Sequence, residues 1–329
     1  METPTLTKEE CESFLTDILQ IPDWNDQLQK DRAELLNHLM IKYQQNQPFQ
    51  TLTLLRIDPK DRKVPMWQEI KTAILAKEGG LCHTSNTFMW ALLKALGYDV
   101  YLSVSSVITQ RDEQYLKKNL DHTIVIVRDL VVKGSLHVVD CALGLPIRQA
   151  VMIKDPTQDQ ASLNDIIYQG SGEIYKYVRT DDNLCIRYHI LKKDKMEQKE
   201  LTNDWKLSYW FNIQPNNFAD FYDTSFMRIY LGEKGPTEEI HRFHYYILLT
   251  RLNREKRRIT IRNQELLVEN DEHIMDTTDI PSHEIRDYIL KYFPAFKGKE
   301  NIIEEAFTNM QKTRDKLSIT SLDLKGKRL

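Results

Sequence analysis

The sequence predicts an α+β chain built from two or three subdomains. Three observations carry the prediction. Apolar residues recur at helical spacing through the first third of the chain. Residues 98 to about 200 then turn to short β-branched runs. The remainder combines a hairpin with an amphipathic helix. With 329 residues, 41% of them hydrophobic, the chain can bury a large core.

Residues 8 to about 45 read as helical. ECESFLTDILQI and DRAELLNHLMIKYQQ carry apolar residues at helical spacing, among them Leu35, Leu36, Leu39, Met40 and Tyr43. Pro48 closes that run. MWQEIKTAILAKE is a second helical stretch, expected to stop at Gly79 and Gly80. A third starts near Cys82 and runs through NTFMWALLKAL to Gly97, a residue suited to the position after a helix end. DVYLSVSSVI, HTIVIVRDLVV and SLHVVDCALG read as strands. YYILLTRLNREKRRITIRNQELLV reads as a hairpin turning at NREK. SHEIRDYILKYF is an amphipathic helix, and the closing KLSITSLDLKGKRL reads as a polar tail. The sequence contains no internal repeat and no low-complexity block.

Net charge is −3 and the isoelectric point is about 6.3. That balance argues against nucleic acid or an anionic membrane as a partner of the whole surface. No apolar stretch approaches the ~20 residues of a membrane-spanning helix. METPTLTKEE is acidic and lacks an apolar run, so no secretory signal is expected, and Glu2 argues against myristoylation. Cys11, Cys82, Cys141 and Cys185 show neither CxxC nor metal-ligand spacing. A reducing, cytoplasmic setting without a bound metal is the simpler expectation.

KEGGLCHTSN, residues 77–86, raises the chemical question. It sets Cys82 in the first turn of a helix, where free backbone N–H groups and the helix dipole favour a thiolate. The glycines permit close approach by a substrate or a neighbouring loop. The N–H groups there can also stabilise an oxyanion. From local sequence alone a buried structural thiol is the commoner outcome. A nucleophilic thiol needs a base, and the base an orienting group. His83 is adjacent, but neighbours on a helix point about 100° apart. His122 opens the strand HTIVIV, and Asp140 sits in HVVDCALG. A charged Asp140 among apolar residues is expensive without a partner. Taken singly, each of these two is more often structural. Cys141 reads as core, HRFH at 241–244 as a packed or half-exposed pair, and RLNREKRR as a solvated turn. No phosphate-binding or dinucleotide fingerprint is present.

The order of these features resembles the arylamine N-acetyltransferase family. That family carries R-G-G-x-C followed by x-E/Q-x-N, and Gly79, Gly80, Cys82 and Asn86 fit it. Its upstream P-F-E-N-L motif is similar to PFQTL here, with Pro48, Phe49 and Leu52 kept. Forty residues separate Cys82 from His122, and eighteen separate His122 from Asp140, as in the family. WFNIQPNNFADF, the hairpin segment and SHEIRDYILKYF look like its third part.

The resemblance implies an N-terminal helical bundle (1–97) carrying the nucleophile, a central β-barrel (98–204) carrying histidine and aspartate, and a C-terminal α/β lid (205–329). It implies a cysteine-protease/transglutaminase-like catalytic core. It also implies the catalytic set Cys82, His122 and Asp140. Acetyl-CoA would be the co-substrate, with no permanently bound cofactor. A small aromatic amine or hydrazine would be the acceptor and the enzyme a monomer. Lys117 and Lys118 would meet the CoA phosphates, and solvated loop lysines explain them equally well. Phe49, Val107 and Leu143 would line the acceptor pocket.

Departures accompany the matches. Glu78 replaces the usual arginine, Thr84 the usual Glu or Gln, and Ala142 a glycine of D-x-G-x-G, with Pro146 close behind. A carboxylate facing Cys82 would oppose a thiolate, so Glu78 is expected to point away and pair elsewhere. The alternatives are the same thiol chemistry with another acyl-CoA or with water as acceptor, or a ligand-binding homologue without turnover.

Overall fold

The computed structural model describes residues 3–107, 121–144, 147–157, 167–169, 173–180, 183–191, 205–222, 227, 229–232 and 240–324. The expected helical stretch over 8–45 is three helices. α1 (Lys8–Ser13) starts from a capping box of Thr7 and Glu10 and runs on as a π-turn to Ile18. α2 (Trp24–Lys30) and α3 (Arg32–Asn46) are separated by Asp31. Its extended backbone lets the carboxylate accept from the Ala33 and Glu34 N–H groups, at 2.9 and 3.0 Å. α3 buries Leu35, Leu36, Leu39, Met40 and Tyr43, the residues its periodicity singled out.

β1 (Phe49–Gln50) and α4 (Leu52–Leu55) follow Pro48. α5 (Trp67–Leu75) ends earlier than its sequence suggests. Lys77, not a glycine, takes the left-handed conformation at φ +62° and turns the chain. α6 (Cys82–Ala95) is almost wholly buried. It ends as expected at Gly97, φ +78°, where the N–H groups of Gly97 and Tyr98 donate to Lys94 and Leu93 carbonyls at 3.0 Å each.

An eight-stranded antiparallel sheet comes next: β2 (Asp99–Val107), β3 (His122–Arg128), β4 (Leu136–Val139), β5 (Val151–Lys154), β6 (Ile167–Gln169), β7 (Glu173–Arg179), β8 (Leu184–Leu191) and β9 (Lys206–Asn212). Its order is β5-β4-β3-β2-β9-β8-β7-β6. β5 comes back against β7, so the sheet curls into a nearly closed barrel. Tyr175, Tyr177, Tyr209 and Phe211 are buried against one another. β9 lies past residue 204 yet pairs between β2 and β8.

The hairpin at NREK is present: β10 (Leu248–Leu252) and β11 (Arg258–Arg262) are closed by Asn253 N–H to Arg257 O at 2.8 Å. β12 (Glu265–Glu269) and β13 (Met275–Asp279) extend it, and β1 completes a five-stranded sheet beside β10. α7 (Ile285–Tyr292) is the amphipathic helix of the sequence. α8 (Glu300–Leu317) is a helix the sequence reading missed. Its Ile302, Ile303, Ala306 and Met310 share a core with Leu52, Leu55, Ile289 and Phe293. The polar tail is also corrected: Ile319 and Leu324 pack on the main core. Among the described residues no helix is long and apolar enough to cross a membrane.

Candidate active site

Cys82 opens α6. Leu81, at the N-cap, has extended backbone and supplies no side-chain cap. The glycine pair before it serves a close crossing with β1. Gly80 N–H donates to Pro48 O and Gly80 O accepts from Gln50 N–H, both at 3.1 Å. A Cβ on Gly79 would lie 1.9 Å from Pro48 O, and one on Gly80 would lie 2.7 Å from the Thr84 Cβ. Thr84, a departure in the sequence, is therefore packed on the glycine.

His122 begins β3, opposite Ser105 of β2, and Asp140 follows β4 by one residue. The two are brought together at full burial: His122 Nε2 lies 2.9 Å from Asp140 Oδ2, with 1% and 0% of the side chains exposed. A carboxylate only accepts, so Nε2 carries the proton of that bond. Cys82 lies near enough to act on the same imidazole, and with Nε2 bonded to Asp140 the nitrogen left for the thiol is Nδ1. Cys82 Sγ also lies 3.7 Å from Asp121 O. The structure thus unites the three residues that the motif spacing singled out.

Burial opposes charge on His122, but the Asp140 carboxylate, the bond to it and the nearby Cys82 outweigh burial and push the imidazole up to about 10. Burial pulls the opposite way on Asp140, where His122, Asn86 and the Ala142 N–H keep the carboxyl below its usual value. Asn86 completes the set. Its amide donates to Thr123 O and to Asp140 Oδ1 (3.0 Å), and its Oδ1 accepts from Cys141 N–H at 3.0 Å. Ala142 N–H donates to Asp140 Oδ1 at 3.1 Å from an ordinary backbone conformation, so no glycine is needed there. Tyr209, which no motif flagged, packs on the His122 ring at 5.4 Å and shares a 2.6 Å bond with Tyr177.

The competing residues are accounted for. His83 is buried, bonded to the Pro65 backbone and stacked 5.9 Å from Phe218; burial pulls it down to about 3. Burial pushes the thiols of Cys11, Cys141 and Cys185 up. His244 of HRFH is buried against Arg62 and His241 caps Phe243 N–H, a packed pair. Phe49 is buried beside Gly80 and meets Phe243 edge-on at 6.3 Å. Phe243 was hidden between two histidines in the sequence. Val107 and Leu143 are half-buried, one at the end of β2 and one past Asp140. Val107 N–H donates to Asp121 Oδ1 at 2.8 Å. Glu78 does point to other partners, Arg56 and Lys299. Lys117, Lys118 and Pro146 lie outside the described residues. A cavity of about 330 Å³ between Arg262–Glu265, Asp279–Ser282 and Leu324 includes none of these residues.

Fold and site together define an α+β acyltransferase. The chain belongs to the arylamine N-acetyltransferase family: the family pattern, described as N-acetyltransferase, matches residues 33–295. Solved structures agree in fold. An arylamine N-acetyltransferase of Mycobacterium marinum in complex with CoA is similar at TM-score 0.68 and 14% identity, covering 92% of this chain and 98% of its own. Arylamine N-acetyltransferase C of Bacillus anthracis is similar at 0.61 and 16% identity, covering 88% and 100%. A Bacillus cereus arylamine N-acetyltransferase, described as having a unique Cys-His-Glu catalytic triad, is similar at 0.62 and 17% identity, covering 88% and 98%. No curated protein matches the sequence.

Proposed function

We propose that this protein transfers the acetyl group of acetyl-CoA to an arylamine or arylhydrazine through an acetyl-Cys82 intermediate. The observation that carries this is the buried chain of contacts Cys82–His122–Asp140 at the start of α6. His122 Nδ1 takes the thiol proton and Asp140 holds the resulting imidazolium. The thiolate attacks the thioester carbonyl, and the uncapped N–H groups of the first turn face the developing oxyanion. The carbon–sulfur bond to CoA breaks, and the imidazolium protonates the departing CoA thiolate. The amine then attacks acetyl-Cys82 and surrenders its proton to His122, which returns it to Cys82. This is ping-pong catalysis.

The same reading takes 1–97, 98–204 and 205–329 as nucleophile, barrel and lid units around a cysteine-protease/transglutaminase-like core, with β9 passing from the third unit into the barrel sheet. It takes the enzyme as a cytoplasmic monomer, with Phe49, Val107 and Leu143 along the acceptor. Lys117 and Lys118 are its candidates for the CoA phosphates; an unchanged KM for acetyl-CoA in Lys117→Ala/Lys118→Ala would remove them. The central test is intact mass after brief exposure to acetyl-CoA without amine. One added acetyl group is expected on the wild type and none on Cys82→Ala. No adduct would refute acetyl transfer.

A further inference from the structure

Residues 76–80 join α5 to the nucleophile helix, and the two glycines offer no side chains to hold them. Three anchors come from outside. Gln50 Nε2 donates to Glu78 O at 3.1 Å, beside the Pro48–Gly80 bond. Arg56 Nη1, just past α4, lies 3.7 Å from the Glu78 carboxylate. The third anchor comes from the far end of the chain. Lys299 Nζ donates to Ala76 O and lies 3.5 Å from Glu78 Oε1. The Glu78 side chain is only 13% exposed, so these are partly desolvated contacts. Lys299 immediately precedes α8, which is fixed to the same neighbourhood by Asn309 Nδ2 to Arg56 O at 2.9 Å and by its packing on Leu52 and Leu55. The family match ends at residue 295, so Lys299 and α8 lie beyond it.

We propose that Lys299 is a positioning residue that, through Ala76 and Glu78, holds the 76–80 loop so that Cys82 stays aimed at His122. The C-terminal segment past the family-matched region thereby supports the nucleophile. The inference rests on reading Cys82 as that nucleophile. Its physical basis is that a misplacement of about 1 Å at a reacting atom costs on the order of 10²-fold in rate.

The test uses the full chain with Lys299→Ala, Lys299→Gln, Lys299→Arg, Glu78→Gln and the Glu78→Gln/Lys299→Ala double variant. Two rates are read by mass: acetylation by saturating acetyl-CoA, and alkylation of Cys82 by iodoacetamide. Lys299→Ala is expected to slow both by roughly tenfold, leaving the KM for acetyl-CoA unchanged. Lys299→Gln keeps a donor for Ala76 O and falls between, and serves where alanine compromises folding. Lys299→Arg restores both rates. The double variant is slower than either single one but by less than the product of their losses, because both singles remove the Lys299–Glu78 pair while each leaves one other anchor, Arg56–Glu78 or Lys299–Ala76 O, in place. Glu304→Gln removes an exposed ion pair of the same helix, with Arg286, and leaves both rates unchanged. Unaltered rates in Lys299→Ala, or losses that multiply in the double variant, overturn the proposal. A wild type that alkylates but takes up no acetyl group refutes the acetyl-transfer reading, and the alkylation rates still decide the anchoring.

Discussion

Replacing Gly79 with alanine tests how tightly the nucleophile loop is built. Gly79 sits at φ +69°, and an added Cβ falls 1.9 Å from Pro48 O, where real Cβ contacts essentially never come within 3.0 Å. The loop and β1 must part by more than an ångström. Left-handed backbone alone costs an alanine about 1–2 kcal/mol. The two 3.1 Å bonds joining Gly80 to Pro48 and Gln50 are pulled apart, at about 1 kcal/mol each. The expected loss is therefore about 3–4 kcal/mol. At an unfolding entropy of about 0.7 kcal/mol/K for a chain of this length, Tm falls by about 5 °C. Cys82 lies three residues on, so acetylation should drop by on the order of 10²-fold. Gly97→Ala is the matched control: it shares a positive φ, +78°, but its Cβ meets nothing within 4 Å. It should lose only the conformational part, about 2 °C, and keep the wild-type rate. Calorimetry and the mass assay read both variants. If the two alanines behave alike, the crossing at Pro48 does not set the loop.

Three further outcomes are expected. Asp140→Asn keeps the shape but removes the charge and the tautomer it imposes, so acetylation should fall about 10³–10⁴-fold. The wild-type alkaline limb near pH 10, where the imidazolium of the triad loses its proton, should move to lower pH in that variant; an unmoved limb assigns it elsewhere. Acid should destabilise the fold through His83. Its folded pKa, about 3, lies below the unfolded value of 6.5. Its contribution is therefore complete above pH 6.5 and is lost at up to about 1.4 kcal/mol per pH unit as pH falls toward 3. His122 has the opposite sign, with stability lost as pH rises through about 10. Urea midpoints at pH 8 and pH 5 should differ less in His83→Phe than in the wild type, and equal differences would exclude His83 as the source. Asn86→Asp places a second carboxylate 3.0 Å from Asp140 in full burial. It should cost about 3–5 kcal/mol by denaturant titration and abolish acetylation; a stable, active variant would show that the amide is not needed.

The sequence exposed the site where chemistry depends on local spacing. Cys82 after two glycines, at a helix start, is visible in ten residues. His122 and Asp140 became meaningful only together, because their contact is made across a strand pair. Why both glycines are required was not legible, since the atom that excludes a side chain at Gly79 belongs to Pro48, just before a two-residue strand too short to show a pattern. The stop of α5 at Leu75, before the turn at Lys77, was masked by the same glycines, which draw attention as helix breakers but serve the crossing. α8 was legible in principle: Ile302, Ile303, Ala306 and Met310 recur at helical spacing. Its charged outer face, ending in a polar tail, hid that stripe. Phe243 and Tyr209 carry no local signal, since each matters through a ring partner far away in sequence.

Asn86 shows why the fold and the chemistry stand or fall together. Asp140 is fully buried, and a buried carboxylate persists only if its oxygens are bonded. His122 takes Oδ2, while the Asn86 amide and the Ala142 N–H share Oδ1. The same asparagine binds Thr123 O on β3 and Cys141 N–H after β4. One side chain on α6, a single turn past Cys82, therefore fixes the helix to both segments that bring histidine and aspartate. A shift of α6 as a whole away from β3 therefore strips a partner from the buried carboxylate. The alignment of the triad is in this way enforced by the cost of leaving a charge unsatisfied, and the helix, the barrel strand and the loop after β4 hold one geometry because Asp140 requires all three.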